Sequence, residues 1–517
     1  MCHIRQGRLD DMTQPVPALR MGTTAGRGTL LAAILASGMV FLDSTVVNVA
    51  LPHLGRDLDA TVAGLQWTLN GYLLMLAAFV LLGGALGDRF GRRRLFLIGV
   101  VAFTAASALC GLAQSTEMLI AARFLQGVGG ALLTPGSLSI IQASFHPDDR
   151  GRAIGAWSGL AGVSTALGPF IGGWLIDSLS WRWIFFINIP LALPVLLVTM
   201  RFVPESRDEA TSRTGGQGSG HRRFDIAGAL LGAVGLAGLT YALIDAPQRG
   251  LTSLPVLASL LVGVGAAVLF ILLERRRGDS AMLPPSLFRS RLFTVLNIFT
   301  IVVYAALGGF TFFLSVYLQN VVGYSALLTG LATLPMTVLL LIGSPRAGAL
   351  AARIGPRLPL TIGPVVAAAG LLLLRGIGPG ASYWLDVLPG VVLFGAGLTL
   401  VVAPLTASVL AAVADRFAGV ASGFNNAASR AGGLLAVAAL PLLVGLSGTG
   451  YEQSAELTSA FRGAMLWCAV LLLAGGLMAA LLIHKPARTP PPSRPCPSLP
   501  PPVYPPEREP HQTARQQ

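Results

Sequence analysis

Gly84-Ala85-Leu86-Gly87-Asp88-Arg89-Phe90-Gly91-Arg92-Arg93 returns 264 residues later as Gly348-Ala349-Leu350-Ala351-Ala352-Arg353-Ile354-Gly355-Pro356-Arg357, with the same internal spacing. Each copy closes an apolar run long enough to cross a hydrocarbon core, which takes about 20 helical residues. The first copy follows the second such run and the second follows the tenth. That placement predicts two homologous halves of six helices, as parallel-repeat membrane folds have, with two further helices inserted between them. The copies differ at one informative place: Ala352 stands where the first copy has Asp88.

Working outward from the repeat gives about fourteen spans in an all-α integral membrane chain. The expected order is a cytoplasmic N-terminal tail (1–28), a six-helix bundle (29–203), a linker rich in Ser, Gly, Arg and Glu (204–224), two inserted helices (225–274), a basic loop (275–291), a second six-helix bundle (292–484) and a proline-rich disordered tail (485–517). Loop charge tests the count, because basic residues collect on the cytoplasmic side of a membrane. With the N-terminus inside, Arg56, Arg182, Arg249, Arg375 and Arg462 fall outside and Arg123 and Arg430 within spans, which leaves 29 of the 36 basic residues inside. A miscount by one helix in mid-chain would scramble that asymmetry, so an even number of spans with both termini inside is expected. Trp67, Trp174, Trp181 and Trp183 lie near the expected outer ends, where indoles favour the interface.

Composition agrees. The 517 residues are 53% hydrophobic and 11% charged, with a mean hydropathy of +0.70, whereas soluble domains carry about 25% charged residues. The net charge of +13 is spread through short loops rather than massed on a face, which argues against nucleic-acid binding. Cys110 and Cys468 fall in apolar runs and Cys2 and Cys496 in the tails, with no CxxC spacing, so neither a metal centre nor a disulfide framework is expected. There is no GxxxxGK[ST] stretch for ATP. The polar first 28 residues do not read as a cleaved secretory signal.

Chemistry is concentrated in a few positions. The first span reads Leu42-Asp43-Ser44-Thr45-Val46-Val47-Asn48-Val49-Ala50-Leu51-Pro52, and every other acid maps to a loop, a tail or a span boundary. A carboxylate in the hydrocarbon region costs several kcal/mol unless paired, hydrated or protonated. Such a group is suited to carry a proton, or else to a permanent structural pairing with Asn48, a hydroxyl or Arg123. Arg123, in Arg123-Phe124-Leu125-Gln126-Gly127, keeps its charge at any accessible pH and so needs a wet cavity or an acid. Arg430, in span thirteen, reads as its counterpart near the cytoplasmic edge. Asp88 with Arg89, Arg92 and Arg93, flanked by Gly84 and Gly91, suggests a latch in which the acid engages a neighbouring helix N-terminus. Span five carries Gly159, Gly168-Pro169 and Gly172-Gly173, small residues for close packing beside a helix-kinking proline. Asn48, Gln126, Phe310, Phe312, Phe313, Tyr317 and Arg430 are candidates for the lining of a central cavity.

These segments resemble the major facilitator superfamily, and within it the fourteen-span drug:proton antiporters, over nearly all of residues 28–485. Asp43–Pro52 looks like the first-helix motif of that subfamily, Gly84–Arg93 like the superfamily's loop motif, Arg123–Gly130 like its fourth-helix motif and Gly159–Gly173 like the antiporter motif. Trp181-Arg182-Trp183-Ile184-Phe185-Phe186-Ile187-Asn188-Ile189-Pro190 looks like a further signature. The resemblance implies proton binding at Asp43, proton relay at Arg123, gating by Asp88 and its arginines, and conformational coupling at Gly168 and Pro169. It implies a monomeric exporter in a bacterial inner membrane that needs no cofactor and exchanges inward protons for an amphipathic, cationic or neutral organic compound. A dedicated exporter of one endogenous metabolite is the nearest alternative, and a non-transporting receptor or scaffold the remote one.

Overall fold

The computed structural model describes residues 19–206, 225–278, 281–414 and 417–483. The expected linker from 207 onward, the proline-rich tail and most of the N-terminal tail lie outside the described residues. Among the described residues, fourteen helices are long and apolar enough to span: α1 Thr24–Asp57, α2 Val62–Phe90, α3 Arg92–Gly111, α4 Thr116–Ser144, α5 Pro147–Ser178, α6 Trp183–Phe202, α7 Ile226–Arg249, α8 Leu254–Arg277, α9 Arg291–Asn320, α10 Ala326–Ile354, α11 Arg357–Leu374, α12 Tyr383–Ala411, α13 Ala418–Val444 and α14 Ser454–Leu482. No strand appears among the described residues. Five spans open on a hydroxyl cap: Thr23, Thr61, Ser115, Ser290 and Ser325 each accept the backbone N–H three residues on, which satisfies a donor the helix leaves free.

Packing repeats between the halves. α1 lies along α5, and α2 and α3 both lie along α4; in the same way α9 lies along α13, and α10 and α11 both lie along α12. The halves meet through two equivalent seams, α5 against α10 and α2 against α13. The inserted α7 and α8 form a hairpin so close that a Cβ on Gly238 would stand 2.6 Å from the Ser259 carbonyl oxygen. α7 rests on α2 and α13, flanking one seam.

The repeated loop has a backbone reason for its glycine. α2 and α10 both stop at a glycine with positive φ, +110° at Gly91 and +90° at Gly355. Side chains rarely adopt that conformation, and glycine reaches it without a Cβ clash. Both copies therefore turn the chain sharply at what is called here the basic end of the molecule, where Arg89, Arg92, Arg353 and Arg357 gather; the opposite end is the far end.

Candidate functional site

Asp43 stands midway along α1 and is 1% exposed; Arg123, on α4, is also 1% exposed. Arg123 Nη1 donates to Asp43 Oδ2 at 2.7 Å and to Gln126 Oε1 at 2.7 Å, while Gln126 Nε2 donates to Asp43 Oδ1 at 2.7 Å. The three side chains close a ring of charge-assisted hydrogen bonds. Residues three apart on a helix share a face, so Arg123 and Gln126 reach the same carboxylate from one side of α4. Arg123 Nε donates to the Thr68 carbonyl on α2 at 3.1 Å, and the guanidinium lies 4.3 Å from the centre of the Tyr72 ring.

Asn188, on α6, completes the enclosure. Its amide donates to Asp43 Oδ1 at 3.5 Å and to Ser107 Oγ on α3 at 2.9 Å, and Ser107 in turn donates to the Phe185 carbonyl at 2.8 Å. Asn188 was quoted in the sequence only as part of a signature. The signal that could have found it is a buried amide inside an apolar span, which is costly without a partner. A buried ion pair of this kind holds because the added hydrogen bonds offset the loss of hydration.

Span five seats α5 against both halves. A Cβ on Gly168 would fall 2.0 Å from Thr45 Oγ1, and one on Gly172 would fall 3.0 Å from Val46, so both glycines press α5 onto the stretch of α1 next to Asp43. Gly173 meets the backbone of Ala326 and Leu327 on α10, and Gly330 of α10 meets the carbonyl of Pro169. This seam opens toward the basic end: a Cβ on Gly162 would meet only Leu341, at 3.8 Å, and nothing lies within 4 Å of a Cβ at Gly159. Gly159 is therefore not a packing glycine in this conformation, unlike the rest of its motif.

At the far end the halves are fastened by hydrogen bonds. Asp177 accepts the N–H groups of Ala326 and Leu327 at 3.1 and 2.9 Å, so an acid at the end of α5 caps α10 across the seam. Gln66 donates to Val437 and Ala438 carbonyls at 2.6 and 3.0 Å, and Gln319 to the Val49 carbonyl at 2.9 Å. The Tyr451 hydroxyl donates to the Ala60 carbonyl at 2.8 Å; burial, helped by neighbouring Glu452, pushes that phenol up to about 12, so it remains a donor at physiological pH.

Several expected site residues stand elsewhere. Asp88 does not cap another helix here; it is half-exposed and paired with Arg92 on the next helix at 2.8 Å. The cap at the start of α3 comes from Glu205, which accepts the N–H groups of Arg93 and Arg94. A Cβ on Gly84 would stand 3.6 Å from Pro135, and Arg89 stacks over Phe90. Asn48 donates to its own helix at the Ser44 carbonyl and does not partner Asp43. Phe310, Phe313 and Tyr317 are 0% exposed and belong to the packed core of the second half rather than a cavity. Phe310 packs on Phe394 at 4.2 Å, Phe313 on Phe312 at 5.3 Å, and Tyr317 on Phe461 at 4.0 Å with its hydroxyl bonded to the Ile377 carbonyl. Helical spacing put them on one side of α9, and that side turned out to be the inner one.

Arg430 is not the repeat mate of Arg123: it stands on α13, the fifth helix of its half, whereas Arg123 is on the fourth. Nor is it near the basic edge. Like Asp43, Arg430 lies fourteen residues short of the far end of its helix, about 21 Å at 1.5 Å per residue, so it stands mid-span. Arg430 is partly exposed, its Nε donates to Asn426 Oδ1 at 3.2 Å, and it forms no ion pair among the described residues.

Residues 33–437 match the model of the Major Facilitator Superfamily. The chain is 38% identical over 413 residues to the multidrug resistance protein Stp of Mycobacterium tuberculosis (strain CDC 1551 / Oshkosh), covering 80% of this chain and 74% of that protein. It is 37% identical over 421 residues to the tetracenomycin C resistance and export protein of Streptomyces glaucescens, covering 80% and 75%. A crystal structure of the peptide transporter POT shares the fold, with a TM-score of 0.62 at 16% identity, covering 90% of this chain and 98% of that one. Fourteen spans, a duplicated six-helix packing and a family match over most of its length make this chain a member of the major facilitator superfamily of membrane transporters.

Proposed function

We propose that this protein is a proton-coupled exporter of amphipathic organic compounds, working by alternating access in a bacterial cytoplasmic membrane with the basic end and both termini inside. The observation that carries the reading is the sealed Asp43–Arg123–Gln126 ring beside the α1–α5 contact. Ionised Asp43 is held by two donors and a neighbouring amide. A proton on that carboxyl removes the charge Arg123 answers, freeing the guanidinium to swing toward Tyr72 or water. Because Gly168 and Gly172 press α5 onto α1 next to Asp43, and Gly173 with Pro169 presses the same helix onto α10, loosening the ring bears directly on the seam between the halves. A proton taken up from outside would thereby favour one seam and its release inward the other. The basic-end opening along α5 and the fastened far end support an inward-facing arrangement.

The relatives support export, and they divide two ways. Stp is named for resistance to many drugs, the Streptomyces glaucescens protein for resistance to and export of one compound. A dedicated exporter of a single product is thus the second reading, with the same proton machinery. The test uses inverted membrane vesicles with an acidified lumen and compares the parent with Asp43→Asn. Uphill accumulation of a fluorescent amphipathic probe should vanish in the variant while downhill exchange persists. Undiminished proton-driven accumulation would remove Asp43 from the coupling step.

A further inference from the structure

Charge balance in the middle of the molecule favours one kind of passenger. Asp43 and Arg123 cancel one another within their ring, so the charge of Arg430 stands alone. Arginine cannot shed its proton to escape a poor environment, and a charge at this depth is costly unless met by water or a counter-ion. Arg430 is partly exposed on α13, the helix that packs on α2 across the seam and on α9 within its own half. The hydroxyls of Tyr72 on α2 and Tyr304 on α9, one from each half, lie near enough to act on its charge, and among the described residues no carboxylate does. Asn426 takes its Nε, and among the described residues neither terminal amino group has a hydrogen-bond acceptor. The guanidinium thus presents its planar end, two N–H groups side by side, which is the geometry that binds a carboxylate or similar oxyanion in two-pronged fashion. Asn426 and Ser422 lie at positions i−4 and i−8 relative to Arg430, extending a polar stripe from it toward the basic end, with Ser429 beside it; Asn425, the other polar residue of this stretch, bonds Asn297 and Thr300 of α9 instead.

We infer that Arg430 anchors the anionic head of the exported compound, so that the passenger is an amphipathic organic anion rather than the cation or neutral molecule expected from the sequence. This rests on the export reading and gives that same pathway a substrate class. Tyr304 and Asn426 flank the head group, and Tyr72, stacked on Arg123 at 4.3 Å, stands between the anion site and the proton site. Arrival of an anion at Arg430 is then felt across one ring by the group that answers Asp43.

Two measurements on the full chain in inverted vesicles test this. In a Ser429→Cys protein with Cys2→Ser and Cys496→Ser, the remaining Cys110 and Cys468 are buried. Labelling by the anionic sulfonatoethyl methanethiosulfonate should outpace labelling by the cationic trimethylammonioethyl reagent, and Arg430→Gln should lower that ratio by about tenfold, as one charge a few ångströms away does. Arg430→Lys should restore most of the ratio, because it keeps the charge. No labelling, or a ratio indifferent to Arg430→Gln, overturns the site. In the second arm, proton-driven uptake of 8-anilinonaphthalene-1-sulfonate is compared with that of ethidium. Arg430→Gln should depress the anion relative to the cation by about tenfold, with Arg430→Lys intermediate because the fork is lost. Uptake of ethidium alone, or equal loss of both, overturns the substrate class while proton-driven export stands. Uptake of neither probe by the parent counts against the export reading itself, and the labelling ratio then decides the anion site on its own.

Discussion

Arg123 and Arg430 are both arginines inside spanning helices of one transporter, yet the first is enclosed by acceptors and the second faces open space with one. Arg123 has a carboxylate, an amide oxygen, a backbone carbonyl and an aromatic face. Arg430 has the Asn426 oxygen of its own helix. The first therefore belongs to the architecture of its half as much as to any proton step, because the ring ties α1, α2 and α4 together. The second contributes nothing comparable to packing, which is what a group kept for a ligand should look like.

Removing each guanidinium should separate the two roles, and the largest effect belongs to Arg123. Arg123→Leu strands the Asp43 carboxylate in an apolar enclosure, and breaking a buried pair from one side costs about 3–5 kcal/mol. Thermal unfolding of the detergent-solubilised protein should show a large drop in midpoint. Asp43→Asn combined with Arg123→Leu should recover most of it, since no uncompensated charge remains, without recovering proton-driven transport. An unchanged midpoint in the single variant would mean that Asp43 already carries a proton in the resting protein and that the ring is not an ion pair.

Next in size is the seat of α5 on the Asp43 stretch. Gly168→Val places methyl groups where Thr45 Oγ1 already stands 2.0 Å from the Cβ position. Overpacking of this kind costs about 1–3 kcal/mol. It should also impair transport more than Gly159→Val, whose Cβ meets nothing within 4 Å in this conformation. Equal transport by the two variants would detach the glycine contact from the Asp43 region and leave the antiporter motif as a collection of small residues.

The contrast also marks what the sequence could and could not tell. Span count and the duplicated halves were legible because hydropathy, loop charge and a repeated glycine turn are properties of the chain in one dimension. Asp43 was legible for the same reason: an acid in an apolar run is conspicuous without knowing its neighbours, and Arg123 was foreseen as one of its partners. Direction was not legible. Phe310, Phe313 and Tyr317 share a side of α9, but helical spacing does not say whether that side meets a cavity or another helix, and here it meets Phe394 of α12 and Phe461 of α14. Asp177 read as a span boundary acid, and only the approach of α5 to α10 turns it into a cap on the other half. Asp88, the more conspicuous acid in a motif, makes only a local pair. Arg430 was misplaced twice, toward the basic edge and onto the wrong member of the repeat, because its depth follows from where α13 begins and ends.

The smallest effect expected is the most telling for the comparison. Arg430→Gln removes a charge that has no carboxylate partner among the described residues, together with one hydrogen bond to a neighbouring side chain on the same helix. The lost bond costs little because Asn426 is exposed and can turn to water, and the relief of a poorly solvated charge works in the opposite direction. The unfolding midpoint should therefore stay within about 0.5 kcal/mol of the parent, the range of substitutions away from a packed network. A loss as large as that of Arg123→Leu would show that Arg430 is held by partners after all, and would make it a structural arginine. A midpoint that does not move, in a protein whose handling of anions does, leaves ligand binding as the reason for a cation at that depth.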